Sequence, residues 1–140
     1  MTRSKLRESI FKILFRVEFN PIDEMQEQIG YFFEDAERAA EEAKKNAISD
    51  EDRAYIEEKT DKIIELIPAI DEKLSEASEG WTVQRLGKAE LAILRLALYE
   101  IIYDDDIPAK VAINEAVNLT KTYCNQEAPA FVNGVLSRFC

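Results

Sequence analysis

Arg3, Lys5, Arg7, Lys12 and Arg16 crowd into residues 1–16 against a single acid, Glu8. Lys5, Ser9, Lys12 and Arg16 recur at spacings of four, three and four, which puts them on one face of a helix. Phe11 and Phe15 form a second, aromatic row. A line of ammonium and guanidinium groups suits a phosphate backbone, and adjacent rings suit unpaired bases. A plainer arrangement fits the same residues: the phenylalanines enter a core and the cations form a solvated face. The local balance is +4, so the rest of the 140-residue chain carries −14 of a total of −10. That is a basic arm on an acidic body.

Other chemistry is scarce. There is no His in the chain, which removes Ser-His-Asp and Cys-His nucleophile systems, HExxH zinc sites and carboxylate–histidine di-iron bundles. No glycine loop of the GxxxxGK[ST] or GxGxxG type is present. Asp104, Asp105 and Asp106 invite a metal, yet consecutive residues cannot all turn to one ion without further loop ligands. An acidic start to the next helix explains them equally well. No catalytic residue, metal or cofactor is expected, and the chain reads as a non-enzyme.

The elements that must carry these residues are helices. Leu91–Ile102, reading LAILRLALYEII, is apolar almost all round, as a central helix surrounded by others would be. It sits within an expected helix over Gly87–Tyr103. Arg95 and Glu100 interrupt it about 140° apart, too far round to pair with each other; Glu115 is a candidate partner for Arg95. A first helix is expected from about Arg3 to Phe19, closed by Asn20-Pro21, with Leu6, Ile10, Ile13 and Val17 as its core stripe. A second follows over about Ile22–Lys45, its latter half polar and alanine-rich. Ser49 begins a capped start with Asp52 in the usual Glu place. The third helix then carries Ile56, Thr60, Ile63, Ile67, Ile70 and Leu74 to about Ala77, continuing past Pro68 with a kink. After a break at Ser78-Glu79-Gly80, Trp81 is expected to plug the bundle and Thr82–Arg85 to form a short turn. A helix over about Pro108–Tyr123 should turn Val111, Ile113, Ala116, Val117 and Thr120 inward. The last helix starts at Glu127-Ala128-Pro129, and Gly134 within it suggests a close helix–helix contact.

With 140 residues, 46% of them hydrophobic, the chain suffices for one domain with a real core. Cys124 and Cys140 form no disulfide framework or zinc pattern, and free thiols fit a reducing cytoplasm. No signal core or membrane span is apparent, so a cytoplasmic protein is expected.

Three blocks, RLGKAELAILRLALYEIIY, IPAKVAINEAVNLTKTY and FVNGVLSRF, come in an order and spacing that closely resemble the NusB family of bacterial transcription antitermination factors. LRESIFKILFRVEF near the N-terminus fits more loosely. The resemblance spans nearly the whole chain and implies an all-α fold of two three-helix bundles packed into a single domain over 1–140, the sub-bundles covering about 1–80 and about 81–140. It implies binding to boxA RNA of ribosomal RNA operons as a heterodimer with NusE, a small-subunit ribosomal protein, within the RNA polymerase antitermination complex. A homodimer of the free protein is a further state known among relatives. RNA contacts carried over are Arg3, Lys5, Arg7, Phe15, Glu127 and Phe131, with Lys110 at a matching family lysine. Lys12 and Arg16 join them from the basic face of the first helix. Glu90, in LGKAELAILR, resembles the acidic contact to NusE. Ser4 stands where relatives often have Arg, Cys124 where Gly is common, and Ala128-Pro129-Ala130 where a polar segment is usual. A helical protein-interaction module without RNA binding, working through the acidic body, is the alternative. The family domain also precedes the catalytic domain of some ribosomal RNA cytosine methyltransferases, but no such domain follows Cys140 here.

Overall fold

Periodicity of three and four dominates the sequence, and a computed structural model, which describes residues 1–140, is helical throughout. Its helices are α1 (Arg3–Phe15), α2 (Met25–Glu42), α3 (Asp50–Glu76), α4 (Lys88–Tyr103), α5 (Ala109–Tyr123) and α6 (Ala128–Ser137), with 3₁₀ turns at Arg16–Glu18, Ile22–Glu24 and Val83–Arg85. The chain divides into two compact units, Met1–Ile64 and Glu65–Cys140, and the division falls inside α3. No helix is long and apolar enough to cross a membrane.

In the first unit, Thr2 caps α1: its Oγ1 accepts from the Lys5 backbone N–H at 3.1 Å. Ile10, Phe11, Ile13 and Leu14 enter the core, whereas Leu6 and Val17 are only half-buried. The helix therefore buries a broader stripe than the expected one, Phe11 included. It tightens into 3₁₀ geometry from Arg16, four residues before Asn20. α2 contributes Met25, Ile29 and Phe33 to the same core, and α3 contributes Ile56 and Ile63. A left-handed residue stops α2. Lys44 has φ of 54°, its N–H donates to Glu41 O at 3.1 Å, and the Lys45 N–H donates to Ala40 O at 2.9 Å. This is the Schellman arrangement, with lysine where glycine is usual. Ser49 Oγ then accepts from the Asp52 N–H at 3.1 Å and starts α3.

α3 runs through Pro68 without a break. In the second unit, α4 contacts α5 and α6, which also contact each other. All ten residues from Leu91 to Glu100 are buried, as the all-round apolar pattern requires. Arg95 is clamped by Asp71 of α3, with Nε to Oδ1 at 2.9 Å and Nη2 to Oδ2 at 2.8 Å. Asp71 was not legible from the sequence, because spacing reports which residues share a helix face and not which helix lies opposite.

Two further expectations change. Val111 is 40% exposed, and Ala112 and Leu119 take the buried places on α5 beside Ala116 and Thr120. Gly134 makes no close helix contact: a Cβ there would meet nothing within 4 Å. Trp81 is half-buried and packs edge-on against Phe131, with ring centroids 5.5 Å apart.

Candidate nucleic-acid interface

Helix geometry sorts the basic residues of α1 into three settings. Arg3 and Lys5 lie exposed in its first turn, which has no acidic residue. Cations there oppose the positive end of the helix dipole, a local cost of about 0.3–1 kcal/mol each that an arriving anion would reverse. Lys5 is tempered only by Glu8 at 3.4 Å, between an exposed lysine and a half-buried glutamate. Lys12 is exposed, with no hydrogen bond or ion pair. Arg7, by contrast, is 5% exposed and held by partners inside the protein. Its replacement would report on folding as much as on any ligand.

Arg16 is half-committed to the fold. Its Nη1 donates to Gln28 O at 3.2 Å and to Gln28 Oε1 at 3.3 Å; its Nη2 lies 3.6 Å from Asp35; and its guanidinium stands 5.9 Å from the centre of the Phe32 ring. These contacts tie the end of α1 to α2. The face formed by Lys5, Ser9, Lys12 and Arg16 consequently borders a groove of about 720 Å³, whose other side includes Phe32, Asp35, Ala36 and Ala39 of α2. Ser9 itself is buried. Next to this face, Phe15 is half-buried between Phe11, at 6.3 Å, and Phe19, at 5.2 Å in an edge-on arrangement. Phe19 is 59% exposed and was read only as a helix end. An aromatic residue at i+4 from Phe15 was the available signal.

In the second unit, Glu90, Cys124 and Glu127 gather at one end of the α4–α5–α6 bundle. Glu90 lies in the first turn of α4, half-buried, and Cys124 ends α5. Burial, and then the nearby Glu90 carboxylate, push the Cys124 thiol above its ordinary value. Asn125 Oδ1 accepts from the N–H groups of Glu127, at 3.1 Å, and Ala128, at 3.0 Å, so a side-chain turn presets the entry to α6. Glu127 is exposed and Phe131 half-buried against Trp81. Lys110 is exposed in the first turn of α5. That places it at the far end of the helix from Cys124, roughly 20 Å from it at 1.5 Å per residue. Lys110 is thus apart from the Glu90–Glu127 group.

No set of three or more His, Cys, Asp or Glu side chains is placed to hold a metal ion; Asp104 Oδ1 instead accepts from the Asp106 N–H at 3.1 Å. The exposed cations of α1 can bind an anion, and the rings beside them can pack against a ligand. The class they define is an all-helical binding protein with a cationic helix face on one unit and an acidic, partly apolar surface on the other.

The family-level match agrees with the blocks of sequence quoted above: the NusB family model covers residues 4–140. The transcription antitermination protein NusB of Agathobacter rectalis is 48% identical over 139 residues, 99% of each chain. Among solved structures, T. maritima NusB superposes with a TM-score of 0.85 at 27% identity, over 99% of this chain and 90% of that one. A complex of the antitermination factors NusB and NusE with double-stranded RNA contains a chain that superposes with a TM-score of 0.72 at 26% identity, over 99% of this chain and 97% of that one. The chain belongs to the NusB family.

Proposed function

We propose that this protein is a transcription antitermination factor that binds boxA RNA of ribosomal RNA operons together with NusE. The observation that carries the reading is the cationic face of α1, with Arg3 and Lys5 placed against their own helix dipole and Lys12 unpaired beside a groove. The likeness to a chain from a NusB–NusE–RNA complex supplies the class of ligand and partner. In this mechanism Arg3, Lys5 and Lys12 take phosphates, and Phe15 and Phe131 offer ring faces to bases. Glu127 accepts from base or ribose donors, Lys110 adds a peripheral cation, and Arg16 shapes the face more than it touches RNA. Glu90 docks NusE, residues 1–140 act as a single NusB-like domain, and the assembled pair joins RNA polymerase. The protein works by recruitment in the cytoplasm, without catalysis.

The test is transcription through a terminator downstream of a boxA sequence, with RNA polymerase, NusE and this protein. Read-through that requires the protein and falls when boxA is scrambled supports the reading. Read-through indifferent to the protein overturns it.

A further inference from the structure

The groove beside α1 has a second wall that α1 does not supply. Its lining includes Lys45 and Ile48, from the connection between α2 and α3. Lys45 is exposed, and its side chain makes no hydrogen bond or ion pair, as is also true of Lys12. Its backbone, however, is fixed: the left-handed turn at Lys44 and the Lys45 N–H to Ala40 O bond of 2.9 Å hold the residue at the groove's edge. Lysine adopts this left-handed conformation less readily than glycine would. The side chains lining the groove include four cations, Lys5, Lys12, Arg16 and Lys45, against two carboxylates, Glu8 and Asp35. Those carboxylates are already engaged by Lys5 and Arg16. The uncommitted charge is therefore Lys12 and Lys45, within a protein of net charge −10. The lining also includes apolar Phe32, Ala36, Ala39 and Ile48.

We infer that Lys45 is an RNA-contacting residue, and that the α1–α2 groove seats a single-stranded RNA backbone with Lys12 on one side and Lys45 on the other. Charge complementarity selects the occupant: two free ammonium groups in a groove with apolar lining residues suit phosphates flanked by sugar and base. The inference rests on the RNA-binding reading above and deepens it.

The test is fluorescence anisotropy of a labelled single-stranded boxA RNA titrated with the full chain at several salt concentrations. The variants are Lys12→Ala, Lys45→Ala, Lys45→Arg and a control, Lys62→Ala, exposed on α3 and absent from the groove lining. Lys12→Ala and Lys45→Ala should each weaken binding several-fold and make the slope of log K against log salt shallower by about 0.7, the single-strand value for one phosphate. Lys45→Arg should keep the wild-type slope, and so should Lys62→Ala. A Lys45→Ala slope equal to that of the control, with Lys12→Ala still shallower, overturns the role of Lys45 and leaves RNA binding standing. Absence of binding by the folded wild-type protein overturns both.

Discussion

Single residues show how far a side chain's setting decides its use. Arg95 is 7% exposed and held by both oxygens of Asp71, whose side chain keeps 26% of its surface in solvent. Arg95→Met should cost about 3 kcal/mol in urea unfolding, the low end for a broken buried pair because Asp71 retains some water. The double variant Arg95→Met, Asp71→Leu should recover much of it; equal losses in single and double variants would contradict the pairing. The two thiols separate in the same way. Cys140 is exposed, whereas burial and Glu90 raise the Cys124 thiol above its ordinary value. Alkylation at neutral pH should therefore modify Cys140 first, and Glu90→Gln should speed the reaction at Cys124; an unchanged Cys124 rate would separate the two groups. A thiol held above its unfolded value favours folding fully below that value, and the support is lost as pH rises through the raised one. The charged residues of α1 were visible in the sequence, but their fates were not. Arg3, Lys5, Arg7, Lys12 and Arg16 look alike in a string, and only burial divides exposed Lys12 from buried Arg7 and tied Arg16.

At the scale of elements, periodicity carried well wherever one face had to be apolar. The central helix was legible because its ten buried residues leave no polar face to misplace. The Ser49 cap of α3 was legible because capping is local chemistry. What failed was non-local. Val111 was placed inward by its type, although Ala112 occupies the buried position. Gly134 was given a close neighbour that is absent. The second helix was expected to run to about Lys45, whereas α2 ends at Glu42, since a lysine in left-handed geometry has no sequence signature. Lys44→Gly should raise stability by about 0.5–1 kcal/mol, because glycine adopts that conformation without strain and gives back part of the gain in unfolded-state entropy. A thermal or urea midpoint unchanged or lowered would mean the turn is not strained. RNA binding should be retained in this variant, because Lys45 keeps its side chain.

Over the whole molecule, charge sets the terms of association. A net charge of −10 repels a polyanion at long range, so a small cationic face must work at close quarters and against the general field. A partner that adds contacts without adding negative charge would strengthen binding. This is the physical reason to expect dependence on NusE. Glu90→Arg should impair NusE docking while leaving the helical signal and unfolding midpoint near wild type, since the residue is only half-buried at a helix start. Normal heterodimer formation in that variant would remove Glu90 from the contact. The most direct measurement is the affinity of the folded protein for labelled boxA RNA, taken by anisotropy at several salt concentrations with and without NusE. The account predicts binding that NusE tightens and that weakens steadily as salt rises. No binding in either condition would contradict it.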